Sequence, residues 1–234
     1  MKRLCFLLVL FSISYSSNFE PADGSMLNHT HIFFSWSQIT STDDYHLYIS
    51  DNVNFTNSDT IITQTNSYLS EDILNWGGSY FWKVCDGNNE LCYDYKSFSI
   101  SYLPLYYPDN VNVITYNEVN SLNGLNVLDF ESLNFSVVLD MNGQAVWFAD
   151  RNNFNDNKIV VTQFLPNGNF VGMSNGIGYE FTKNSDIVFS TPESYGVHHQ
   201  IYKTENDTYF FIDAEIEYNL CPGICDGLIQ WQGD

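Results

Sequence analysis

Basic side chains are scarce in this 234-residue chain: 8 Lys and Arg stand against 28 Asp and Glu, a formal net charge of −20. A field of that sign repels phosphate backbones and anionic lipid, so nucleic-acid binding is not expected. The acids are scattered rather than run together, which describes a solvated acidic surface open to cationic partners or loosely held calcium. No long stretch carries apolar residues at a 3.6-residue period, which argues against helices. No apolar run approaches the roughly twenty residues a membrane helix needs, so no stable membrane insertion is expected. Paired carboxylates in a setting that would suit glycoside chemistry are missing as well, and so is the third ligand that His29 and His31 would need to hold a metal.

What is abundant is aromatic: 16 Tyr and 18 Phe, with Asn and Thr also frequent. Aromatic and branched side chains suit a pleated surface and Asn suits turns, so the fold class reads as all-β.

The chain opens Met1-Lys2-Arg3, continues with an apolar run over residues 4–13 and leaves it through Ser14-Tyr15-Ser16-Ser17. This is the pattern of a signal peptide over residues 1–17 and implies export to the periplasm or the extracellular space. Cys5 would be lost with it. Cys85 and Cys92 then flank DGNNEL, and Cys221 and Cys225 flank Pro-Gly-Ile. In an oxidising compartment two local disulfides are expected, although four cysteines allow three connectivities. A Cys-x3-Cys pair without His or Cys nearby is a poor metal site, and none is assigned. Asn28, Asn54, Asn134 and Asn206 begin Asn-x-Ser/Thr triplets, which matter only in a glycosylating host.

Over residues 18–102 short alternating segments recur between turn signals: HIFFSWS (31–37), YHLYIS (45–50), DTIITQT (59–65), SYFWKVC (79–85) and YKSFSIS (95–101). Their even spacing suggests a small β-sandwich, with Trp36 and Trp82 as core aromatics. Residues 103–109, with two prolines, read as a linker.

Residues 110–234 change character. Asn123-Gly124, Asn167-Gly168 and Asn206-Asp207 precede apolar strands and stand 44 and 39 residues apart. A second set of polar turns begins at Asp140, Thr182 and Gln232, and 219–225 reads as an insertion in the longer interval. A period near forty with four strands per unit is that of a β-propeller blade. Two to three blades are expected here, an incomplete ring, which implies that the sequence is part of a longer protein. The best-defined unit, residues 164–212, ends in His198-His199 at the start of a strand. With strict strand alternation the two rings point to opposite faces and cannot easily share an ion. One could face a central funnel and do acid-base or oxyanion work, since its ordinary pKa lies near 6.5. The plain alternative is one core histidine and one that steadies a turn.

The 18–102 segment, with Pro-Ala-Asp-Gly (21–24), Trp36 and Gly-Ser-Tyr-Phe-Trp-Lys-Val (78–84), resembles fibronectin type III-like sandwiches. The run 165–169 (Leu-Pro-Asn-Gly-Asn), the Asp140-x-x-Gly-x-x-Val-Trp147 strand pair and the histidines before an apolar strand are similar to those of aryl-sulfate sulfotransferases. The order of a sandwich followed by a propeller is similar too. That resemblance implies transfer of a sulfuryl group from an aryl sulfate donor to a phenolic acceptor through a sulfohistidine, with no nucleotide or other cofactor. It implies a sulfate-binding or acid-base role for one of His198 and His199, and it assigns the nucleophilic histidine and the arginine to later blades. Gln200 departs from the acidic residue often found in the family, and Asn206-Asp207 replaces the usual Asn-Gly. Arg151, in the loop sequence RNNFNDN, is not assigned as the sulfate-binding arginine. The rival reading is a secreted binding or adhesion protein that uses the same scaffold without catalysis.

Overall fold

The computed structural model describes residues 19–213, apart from 41, 106, 108–110, 112, 115–116, 123, 131–134, 150, 155–158 and 194–195. The expected signal segment, the Asn123 turn anchor, and everything from 214 on, including Cys221, Cys225 and the Gln232 turn, lie outside the described residues. Among the described residues the regular structure is strand with two short 3-10 turns, so the chain is all-β. No helix among them is long and apolar enough to cross a membrane.

The first half contains β1 (Ser25–Leu27), β2 (Ile32–Ser35), β3 (Tyr45–Ser50), β4 (Asp59–Thr63), β5 (Ser67–Ser70), β6 (Ser79–Asp86) and β7 (Lys96–Ile100). They form a five-stranded sheet in the order β1-β7-β6-β3-β4 and a two-stranded sheet of β2 and β5. Period-2 alternation directs Tyr45, Leu47 and Ile49 of β3 inward. They join Ile32, Phe34, Trp82, Val84, Phe98 and Ile100 in one core shared by both sheets. Trp36, just past the end of β2, and Trp82 on β6 are fully buried there, as expected of core aromatics. Full burial of one such ring contributes on the order of 2–3 kcal/mol, and the edge-on contacts of Phe34 with Trp82 and Phe98 fix how the rings meet. Phe34 therefore ties the smaller sheet to the larger. The Cys85–Cys92 disulfide forms across the expected hairpin tip.

Of these strands β1 and β5 were not legible. Three-residue β1 lacks a run of its own, and β5 (SYLS) holds two small serines. Each is a strand because a neighbour recruits it: β1 pairs in parallel with the longer β7, and β5 in antiparallel with the more apolar β2.

The second half follows in chain order as β8 (Asn126–Phe130), β9 (Phe135–Leu139), β10 (Ala145–Phe148), β11 (Val160–Phe164), β12 (Phe170–Ser174), β13 (Ile177–Phe181), β14 (Ile187–Ser190), β15 (Val197–Lys203) and β16 (Tyr209–Asp213). The first three make a sheet ordered β10-β9-β8, the next four an antiparallel meander β11-β12-β13-β14, and the last two a hairpin. The three- and four-stranded sheets share a core of stacked rings. Trp147 lies on Phe170 with centroids 4.5 Å apart, and Phe170 lies on Phe181 at 5.5 Å. Phe154 closes that stack edge-on against Tyr179 and Phe181.

Among the described residues, the two sets of polar turns distinguished by the sequence pattern prove to be one turn. Five-residue loops at 140–144, 165–169, 182–186 and 204–208 join β9 to β10, β11 to β12, β13 to β14 and β15 to β16. In each, the first residue's N–H donates to the carbonyl of the fifth, at 2.9 Å every time. The third residue is always Asn: Asn142, Asn167, Asn184 and Asn206. The fourth has positive φ: Gly143 at 78°, Gly168 at 85°, Ser185 at 65° and Asp207 at 58°. This is a type I turn followed by a left-handed bulge residue. The forty-residue period links every second copy, since 140 to 182 is 42 residues and 165 to 204 is 39.

Segment 28–30 of the first half adds to the free edge of β10. Thr30 N–H donates to the Val146 carbonyl at 2.9 Å, and Phe148 N–H donates to the Asn28 carbonyl at 3.3 Å. His29 is the bridge partner of Trp147. The Asn28 amide spans the joint, donating to Phe148 O at 2.8 Å and to Ser185 Oγ at 3.0 Å. At the start of β10, Trp76 Nε1 donates to Ala145 O at 2.9 Å and its ring sits 5.4 Å from Phe148. His29 itself is 6% exposed, and its Nδ1 has no partner.

Candidate functional site at the start of β15

The β15 strand carries the histidine pair, and its register with β16 is broken at that point. His198 stands opposite Ile212, while Ile201 stands opposite Phe211, so His199 and Gln200 are extra residues on one strand. The break is a bulge, and His199 takes φ of 62°, a left-handed conformation that costs energy for a residue with a Cβ. Its effect is to cancel the alternation expected of neighbouring strand residues. The two rings, expected on opposite faces, lie with centroids 3.8 Å apart and planes inclined at 70°.

The bulge is anchored on its N-terminal side. Val197 N–H donates to Gly176 O at 2.8 Å, and Gly196 N–H donates to an Asp213 carboxylate oxygen at 2.9 Å. Val197 and Ile201 are buried against Val171 of β12, which fixes one face of the hairpin inward. On the other face His198, Ile212, Phe210 and Tyr202 are brought together by register, because partners directly opposite project to the same side. This face is open: Tyr202 is 47% exposed and Phe210 is 62% exposed. A shallow cleft of about 270 Å³ runs along it, lined by Gln200, Tyr202, Phe210, Phe211 and Ile212. Gln200 thus borders the cleft as a neutral amide where the resemblance would have an acid.

Behind the hairpin lies a polar network that the sequence did not reveal. Glu180 of β13 is 1% exposed. Its carboxylate accepts from Asn169 Nδ2 at 2.6 Å, from Lys203 Nζ at 2.7 Å and from the Tyr209 hydroxyl. Burial pushes the Glu180 carboxyl up, but the hydrogen bonds from Lys203, Tyr209 and Asn169 outweigh it and hold the group below the usual carboxylate range. The Glu180 hydrogen bond raises the Lys203 ammonium above its ordinary value, against desolvation and with help from Asp207 at 3.1 Å. Gln163 clasps the same strand from β11, donating to Lys203 O at 3.0 Å and accepting from Lys203 N–H at 2.8 Å. Together these contacts position β15 and β16 against the meander. The only sequence signal was a glutamate at an inward position of β13, and nothing in the order of residues pairs it with a lysine 23 positions later.

Among the described residues no group of three or more His, Cys, Asp or Glu could hold a metal ion. Arg151 opens a 3-10 turn, Arg151–Phe154. Compared with known proteins, the chain matches no protein-family model and no curated protein.

Proposed function

We propose that this chain belongs to an exported protein that handles aryl sulfates, with the open face of β15 and β16 receiving the aromatic ring beside His198 and His199. The observation that carries the reading is the juxtaposition at the bulge: two imidazoles are in ring contact, and His198 pairs across the hairpin with Ile212, one of the residues that line the aromatic cleft. A cleft of about 270 Å³ is near the lower end of small-ligand sites, which suits one ring and its substituent. Tyr202 and Phe210 offer ring surface, and the imidazoles offer N–H donors to sulfuryl oxygens and a means of moving a proton to or from the phenolic oxygen. The resemblance to aryl-sulfate sulfotransferases, carried by residues 140–147, 165–169 and 198–199, supplies the reaction class: sulfuryl transfer from an aryl sulfate to a phenol through a sulfohistidine. It also assigns the nucleophilic histidine and the arginine elsewhere, so the 234-residue chain is expected to bind without turning over.

The test is titration of the chain with 4-nitrophenyl sulfate, 4-nitrophenol and methyl sulfate, followed by NMR of the histidine rings. Perturbation of His198 or His199 by the aryl sulfate, weakened at least fivefold in His198→Ala or His199→Ala, is the expected result. Equal binding of the phenol and its sulfate would favour the non-catalytic binding scaffold. No binding of any aryl compound would remove the site altogether, and multiple-turnover transfer by the chain would overturn its assignment as a partial active site.

A further inference from the structure

The joint between the two halves encloses a histidine in a place where only its neutral form fits. His29 sits at the middle of the added strand 28–30, 6% exposed, with Nδ1 unpartnered. The titratable groups that act on it are Lys183, in the turn between β13 and β14, and His31; neither is an acid. A proton taken from solvent onto the free ring nitrogen would create a cation beside a lysine, with no carboxylate among the described residues acting on it. The strand that carries His29 is held to β10 by the two backbone bonds described above and by the Asn28 amide, so few hydrogen bonds must break for the joint to part.

We propose that His29 makes this joint acid-labile: on protonation, segment 28–30 leaves the edge of β10 while the sheets on either side stay folded. The linkage has a definite sign. Burial first, then Lys183 and His31, hold the enclosed ring at a pKa of about 3. In the open joint the ring returns to its ordinary value of roughly 6.5. Closure is therefore at full strength above about pH 6.5 and weakens as pH falls toward 3, by about tenfold per pH unit. Opening at pH 4.5 is favoured about 100-fold over opening at pH 7.5. Glu180, whose carboxyl is also held low, loses stabilisation only around and below the ordinary carboxylate range, so the joint yields first.

Hydrogen exchange of the full chain, corrected for the intrinsic pH dependence of exchange, reads this directly. The Thr30 and Phe148 amides should lose about 100-fold protection between pH 7.5 and 4.5, while Leu47, Val84 and Val171 lose less than threefold. In His29→Gln the Thr30 and Phe148 change should shrink below threefold. Equal loss at all five amides would mean global unfolding and would overturn the proposal, as would an unchanged response in His29→Gln. Should that variant fail to fold, NMR titration of the native ring decides: His29 staying neutral to below pH 4 in the closed form supports it, and titration near 6.5 sinks it.

Discussion

Replacing Glu180 by Gln tests whether the buried network behind the hairpin holds β15 and β16 in place. Glu180 accepts three hydrogen bonds while almost wholly enclosed, one of them from an ammonium 2.7 Å away. A hydrogen bond to a charged group contributes about 1.5–3 kcal/mol net, and the desolvation of the carboxylate works against the sum. Gln keeps the volume and one acceptor but gives up the charge, so Glu180→Gln should cost about 2–4 kcal/mol. Lys203→Met should cost more, about 3–5 kcal/mol, because it strands the enclosed carboxylate. The asymmetry follows from the surroundings: Lys203 is 15% exposed and keeps Asp207 and water, whereas among the described residues Glu180 pairs with no second cation. The double variant should fall short of the summed losses by about 1.5–3 kcal/mol, the coupling of the pair. Urea unfolding at pH 7.5, followed by tryptophan fluorescence with unchanged m-values, supplies all three numbers. A coupling below about 0.5 kcal/mol would show the pair to be decoration, of the order measured for exposed ion pairs. The same experiment has a pH arm. Because Glu180 is held below the ordinary carboxylate range when folded, its stabilisation is present above an unfolded value near 4.5 and is lost as pH falls below it. The difference between wild type and Glu180→Gln should shrink over that interval.

Three further outcomes follow from local geometry. A Cβ at Gly172 would stand 2.5 Å from the Val160 carbonyl oxygen, a backbone atom that cannot swing aside, so Gly172→Ala should lower stability by about 2–3 kcal/mol in thermal or urea unfolding. Removing the Cys85–Cys92 bridge by the double Ser variant opens a short loop with a sequence separation of 7, for which chain entropy gives a loss of about 2.5 kcal/mol, read as a lower urea midpoint. Asp207→Gly and Ser185→Gly relieve the same left-handed strain, yet only Ser185 Oγ accepts from Asn28 across the joint. The first should change stability by less than about 0.5 kcal/mol, its ion pair being exposed, and the second should lower it by about 1 kcal/mol.

The strands that announce themselves by alternation, such as YHLYIS and SYFWKVC, stand where the pattern puts them, because a half-buried strand writes its two faces into its residues. The disulfide at the DGNNEL tip was legible for a related reason: seven positions across a hairpin bring two cysteines together without help from the rest of the fold. The shared turn was half legible. All four copies read as polar turns, but Asn-Gly marks only two; in Asn184-Ser185 and Asn206-Asp207 a left-handed residue other than Gly conceals that the four are one turn. The candidate site was legible as residues and not as geometry. His198 and His199 stand out in the sequence, but the bulge that brings their rings edge to face depends on the pairing with β16, and alternation alone predicted the reverse. Glu180 and His29 were invisible as partners of Lys203 and Trp147, because long-range register decides those meetings.

The placement of segment 28–30 bears on how copies of this chain meet one another. An end strand offers a row of unpaired N–H and C=O groups on which another molecule can add a strand of its own. On β10 that row is taken by the chain itself, through Thr30 N–H to Val146 and Asn28 C=O to Phe148, with the Trp76 indole on the Ala145 carbonyl nearby. The first half thus acts as a guard for an apolar strand whose four residues, AVWF, are all buried. A chain cut between the halves would keep its sheets but lose this cover, and it would do so on the stretch best suited to pair with a second copy.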